Sequence, residues 1–104
     1  MSQPYNAVVA RAFEEVKEIL CEVLGSQQVV VYLFGSWARG EATSVSDIDI
    51  ALDSEAPLSP GLLARLRERL EESHVPYRVD VVDLTRADPA FRQRVRDEGV
   101  LWSG

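Results

Sequence analysis

At 104 residues the chain has the length of one domain, long enough for a core but too short for a deep enclosed pocket, so any cleft should stand open on one side. It is 46% hydrophobic and 27% charged, no apolar run approaches the roughly 20 residues of a membrane span, and MSQPYNAVV lacks the pattern of a secretory signal, so a cytoplasmic location is expected and no membrane partner. Eleven Lys+Arg against seventeen Asp+Glu leave a net charge of −6, which counts against direct nucleic-acid binding, and the single cysteine, Cys21, excludes an internal disulfide and a cysteine-based metal site.

Residues 6–24 carry Val9, Phe13, Val16, Leu20 and Val23 three or four apart, the spacing of a helix with one apolar face, and Gly25 supplies a stop. Cys21 reads as a small apolar residue on that helix. VVVYLF, residues 29–34, is continuous and β-branched, which predicts a strand covered on both faces. Gly35 ends it, SWARG is long enough for a turn or one helical turn, and EATSVS is a polar loop. SDIDIAL, residues 46–52, then alternates, with Ile48, Ile50 and Leu52 on one face and Asp47, Asp49 and Ala51 on the other.

Pro57 and Pro60 mark a loop, after which GLLARLRERLEESH, residues 61–74, predicts a helix with Leu62, Leu63, Leu66 and Leu70 inward and His74 in its last turn. RVDVVDL, residues 78–84, is a third strand, and DPAFRQRVRDEG closes the chain as a helix with Asp88 as N-cap and Pro89 at its first position. The first two strands are joined too closely for a parallel crossover. The expectation is therefore one α/β domain over residues 1–104, with a small mixed or antiparallel three-stranded sheet flanked by about four helices. Four arginines between Arg86 and Arg96 form either a solvated helix face or a patch for phosphates or an acidic partner. Trp102 either packs on the domain or anchors a partner, and Tyr5, Tyr32 and Tyr77 read as structural.

Two carboxylates on one strand face need an explanation. Residues two apart on a strand point the same way, so Asp47 and Asp49 project together, and their repulsion next to a core is most simply removed by a divalent metal. Mg²⁺ suits oxygen ligands and is commonly shared between carboxylates and substrate phosphates. A bare Asp-x-Asp is more often the polar face of an edge strand, but two other features point towards phosphoryl or nucleotidyl chemistry. Gly35 permits a sharp exit from the first strand and places Ser36 at a helix N-terminus, where it can hold a phosphate or simply cap the helix. Asp80 lies between Val79 and Val81 and faces the opposite way, so it can supply the third carboxylate of a two-metal site. Asp83 shares the parity of those valines and marks the strand's end instead.

These residues resemble a known family. Gly35-Ser36, the ten residues Trp37 to Ser46, and Asp47-Ile48-Asp49 look like the Gly-Ser, ten residues, Asp-x-Asp signature of the polymerase-β-like nucleotidyltransferases. In the order of its elements from about residue 6 to 96 the chain is similar to their shortest members, the minimal nucleotidyltransferases, or MNT proteins. The resemblance implies that Asp47, Asp49 and Asp80 hold Mg²⁺, as two ions, with Asp80 assisting an incoming hydroxyl. It implies that Gly35 and Ser36 hold the outer phosphates of ATP, and that Arg39 contacts phosphate or forms an ion pair with a nearby acid. Trp37 falls at a variable position of the motif and is given no role.

Larger relatives add a helical lobe that covers the base and binds the acceptor. Small MNT proteins often accompany a HEPN-domain toxic ribonuclease and silence it as antitoxins by moving AMP from ATP to a tyrosine, and the resemblance implies that role for this chain. The alternatives are an antitoxin that neutralises its partner by binding alone, and a transferase acting on a small molecule such as an aminoglycoside.

Overall fold

The structure, a computed structural model, describes residues 7–103 apart from residues 26 and 44. Tyr5 and the first residue of the expected N-terminal helix lie outside the described residues. Helix α1 runs from Ala7 to Leu24 and buries the anticipated stripe, with Ala12, Ile19 and Leu24 added to it. Gly25 ends it in the left-handed region, at φ +58°, with its N–H donating to the Cys21 carbonyl at 3.0 Å. Cys21 itself is exposed, on the polar side of the helix.

Strand β1, Val30–Phe34, leads through the four-residue helix α2, Ser36–Arg39, and a polar loop into β2, Ile48–Asp53. Helix α3, Pro60–Glu71, follows, capped by the Ser59 hydroxyl, which accepts from the Leu62 N–H at 3.1 Å. It buries Leu63, Leu66 and Leu70, with Leu62 half-buried, and it ends three residues before the expected limit. Pro76 bars helical geometry at Val75, so His74 belongs to a loop rather than to a last turn. Its ring is exposed, while its backbone N–H donates to Glu15. Strand β3, Val79–Asp83, passes through a single 3₁₀ turn, Leu84–Arg86, into α4, Pro89–Glu98, where Asp88 caps the N-terminus as expected.

The sheet has four strands, not three. Gly99 stops α4, and Val100–Ser103 becomes β4, running antiparallel along β1. The addition gives the backbone groups on that side of β1 a partner. The order is β3-β2-β1-β4, with β1 antiparallel to β2 and β2 parallel to β3, so the sheet is mixed.

Helices α1 and α3 cover one face, where Val31, Leu33, Ile48, Ile50, Leu52 and Val81 join the main core. On the other face α4 and the 3₁₀ turn pack Val95 and Leu84 on Ala51, with Tyr32, Phe34, Val82 and Phe91 at the margin. β1 is thus covered on both sides, as its unbroken apolar sequence implies. Tyr32 and Tyr77 both pack against core clusters, in keeping with their structural reading.

Three of the four arginines between residues 86 and 96 hold the fold together. Arg96 pairs with Asp53 at 2.9 Å, tying α4 to β2. Arg92 donates to the carbonyls of Leu84 and Thr85, and Arg86 lies 3.5 Å from Asp83. Asp83, only 7% exposed, also accepts from the N–H groups of Leu58 and Thr85 and from the Thr85 hydroxyl, so it fastens the β2–α3 loop to the end of β3. Trp102 packs edge-to-face on Phe13, and the Lys17 ammonium stands 4.9 Å from its ring centre.

Candidate active site

Alternation and register set the site. In β2 the isoleucines point towards α1 and α3, so Asp49 takes the face shared with α4, and Asp47 precedes it at the mouth of the strand. Parallel pairing aligns Asp49 with Asp80 on β3, and antiparallel pairing aligns it with Phe34 on β1. Phe34, Asp49 and Asp80 thus form one row across three strands, on one face of the sheet.

The turn after β1 is built around that row. Gly35 adopts φ +77° and ψ −153°, a conformation essentially restricted to glycine. A β-carbon at this position would overlap the Asp49 Oδ2 and stand 3.1 Å from its Cγ. The absence of a side chain is what lets the Asp49 carboxylate lie against the backbone. Gly35 occupies the N-cap of α2 and Ser36 its first helical position, so Ser36 is not the cap. The next residue secures the turn. Trp37, only 3% exposed, packs edge-to-face on Phe13 and Tyr77, and its indole N–H donates to the Ser46 carbonyl at 3.3 Å. That bond fixes the residue before Asp47. Sequence reasoning gave Trp37 no role, and an aromatic between a Gly-Ser turn and a small residue was the only local sign of one.

The Asp49 carboxyl holds its proton more tightly than an ordinary aspartate, first because burial disfavours the charge and then because Asp80 and Asp47 repel it; Arg39 opposes the rise. Arg39 forms the ion pair that was one of its two readings, with its Nε donating to Glu41 at 2.8 Å. Asp80, 42% exposed, is met by Arg78 at 3.4 Å. Arg78 was not foreseen at the site, and the only sequence signal was a cation two residues before a candidate acid.

Among the described residues no three acidic, histidine or cysteine side chains converge into a ready-made metal cage. Arg78 pairs with Asp80 instead. The donor set still fits a hard divalent ion: all the donors are carboxylate oxygens, and the repulsion that raises the proton affinity of Asp49 is what such an ion relieves. An open cleft of about 700 Å³ runs over this surface, lined by Phe34, Asp49, Arg78, Asp80, Val82 and Phe91 among others. Its volume is within the usual range for small-molecule and cofactor sites.

Residues 14–102 match the family described as "Polymerase beta, Nucleotidyltransferase". A curated relative from Haemophilus influenzae, named "Probable protein adenylyltransferase MntA", is 38% identical over 81 residues, covering 78% of this chain and 69% of that protein. A solved structure described as a toxin-antitoxin with AMP-PNP superposes with a TM-score of 0.73 at 31% identity, covering 88% of this chain and 72% of that one. Another, described as a tri-AMPylated Shewanella oneidensis HEPN toxin in complex with MNT antitoxin, gives a TM-score of 0.68 at 27% identity, covering 91% of this chain and 71% of its own.

Proposed function

Because the chain belongs to the polymerase β nucleotidyltransferase family, we propose that it is a protein adenylyltransferase that moves AMP from ATP onto a tyrosine of a HEPN-type toxic ribonuclease, acting as that partner's antitoxin. The observation that carries this reading is the row of Asp49 and Asp80 on paired strands, with Asp47 beside them and Gly35 packed bare against Asp49. The names of the Haemophilus relative and of the two complexes support the choice of a protein acceptor.

Asp47, Asp49 and Asp80 would hold Mg²⁺, as two ions, which when bound neutralises phosphate charge and eases loss of the acceptor's proton. Gly35 and the backbone at the start of α2 receive the outer phosphates, because no side chain stands between them and the carboxylates. The acceptor oxygen forms a bond to the α-phosphorus as the bond to the bridging oxygen breaks, and pyrophosphate leaves with that electron pair. Asp80 stands on the outer strand at the open edge of the cleft and accepts the hydroxyl proton there. Arg78 must release Asp80 for this to happen, and the pair is exposed enough for the exchange to cost little. Nothing within the described residues roofs the cleft, so a docked protein both closes it and delivers the hydroxyl.

The test is to incubate this chain with a HEPN-type toxic ribonuclease, with ATP and Mg²⁺, and to follow intact mass and ribonuclease activity together. The expected result is a gain of one or more AMP units at tyrosine with loss of nuclease activity. Inhibition without any mass gain would replace transfer by simple occlusion.

A further inference from the structure

Phe34 and Phe91 are the feature of the cleft that acid chemistry leaves unexplained. Ala51, Leu84 and Val95 already close the packing between α4 and the sheet, and all three are buried. Phe34 and Phe91 sit at the margin of that cluster, half-buried, and both line the cleft that holds Asp49 and Asp80. Their ring centres are 5.7 Å apart with the planes at 82°, so the face of one ring and the edge of the other meet as a corner. Phe34 is in register with Asp49 and immediately precedes Gly35. The corner therefore adjoins both the carboxylates and the phosphate turn, on the β1 side of Asp49 and away from the outer strand that bears Asp80.

We propose that Phe34 and Phe91 form the base-stacking corner of the nucleotide site. The proposal rests on the nucleotidyltransferase reading of the site. With the outer phosphates at Gly35-Ser36 and the acceptor entering past Asp80, the nucleoside on the α-phosphate is left with the β1 side, where Phe34 and Phe91 line the cleft. An aromatic corner of this kind recognises the π-face of a base and makes no hydrogen bond to its edge.

The test uses the full chain with Mg²⁺ and two ligands, ATP and ribose 5-triphosphate, which carries the same phosphates and sugar but no base. Base stacking on a single aromatic is worth about 5- to 150-fold in affinity. Phe91→Leu keeps an apolar side chain in the helix, so folding can be checked by melting. It is expected to weaken ATP within that range and to leave ribose 5-triphosphate unchanged, while Phe91→Trp restores ATP binding. Equal losses for the two ligands, or no loss for ATP, would overturn the stacking corner alone. A wild-type chain that binds neither ligand, or an Asp49→Asn variant that binds both as wild type does, would instead overturn the underlying reading of the site.

Discussion

Replacing Gly35 by alanine tests the central geometry of the site. Two costs add. The backbone at φ +77° and ψ −153° lies in a region that a residue with a side chain pays about 1–3 kcal/mol to enter. The new methyl would also overlap the Asp49 Oδ2 and drive that carboxylate off its rotamer, for a further ~0.5–1.5 kcal/mol. The sum is about 1.5–4.5 kcal/mol, a large part of the stability of a domain this size. At about 4–8 °C per kcal/mol the melting temperature should fall by at least ~6 °C. Adenylyl transfer should be lost in whatever fraction still folds, because Asp49 no longer lies against the turn. Repeating the substitution in an Asp49→Ala background separates the two costs: the overlap disappears and the backbone strain stays, so the penalty should shrink by about 0.5–1.5 kcal/mol. A Gly35→Ala variant melting within about 2 °C of wild type would refute the strain argument. A penalty unchanged by the Asp49→Ala background would refute the close approach.

Asp49→Asn should abolish transfer while modestly stabilising the fold near neutral pH, because it removes a partly buried charge that Asp80 and Asp47 repel. The folded state raises the proton affinity of Asp49, so its ionisation costs stability as pH climbs through the raised value; the mutant's advantage should therefore fade on acidification and vanish below the ordinary carboxylate pKa of about 3.9. Melting curves across pH check this, and an advantage independent of pH would contradict it. Mg²⁺ and ATP together should raise the melting temperature by more than the sum of their separate effects, since the phosphates complete the ion's coordination; strictly additive shifts would argue against a shared site. Asp83→Ala should cost about 1–3 kcal/mol in denaturant unfolding, by stranding the N–H groups of Leu58 and Thr85, yet leave the nucleotide affinity of the folded protein intact. Lost affinity without lost stability would place Asp83 in the site instead.

The parts that could be read from the sequence are those fixed within a few residues. The three-to-four spacing from Val9 to Val23, the unbroken β1 and the alternation around Asp47 and Asp49 each express one local periodicity, and each element formed within two residues of its expected bounds, with β2 starting at Ile48 and leaving Asp47 just ahead of the strand. β4 could not be read in this way. Val100–Ser103 is too short to display alternation, and it becomes a strand only because β1 lies beside it, some 70 residues back along the chain. The end of α3 was misplaced because charged residues through Glu72 continue the helical pattern, whereas the loop to Pro76 must turn back towards the sheet. At the site, the nearness of Asp47 to Asp49 follows from their spacing, but the alignment of Asp49 with Asp80 depends on the register of two strands joined through a whole helix. The Arg78 contact to Asp80 and the Trp37 contact to the Ser46 carbonyl are likewise set by tertiary structure.

The rings of Trp102, Phe13, Trp37 and Tyr77 touch in series, each contact edge-to-face at 5.2 to 5.6 Å, within the core beneath the sheet. They connect β4, at one edge, to the segment that enters β3, at the other. Since Trp37 and Trp102 are the only tryptophans, the chain carries two intrinsic fluorophores along one line of contact. Emission from Trp37 reports on the turn at Gly35 and Ser36, and emission from Trp102 reports on the far edge. Single-tryptophan variants would therefore resolve, without any added label, whether an occupied cleft is felt only at the turn or across the full width of the sheet.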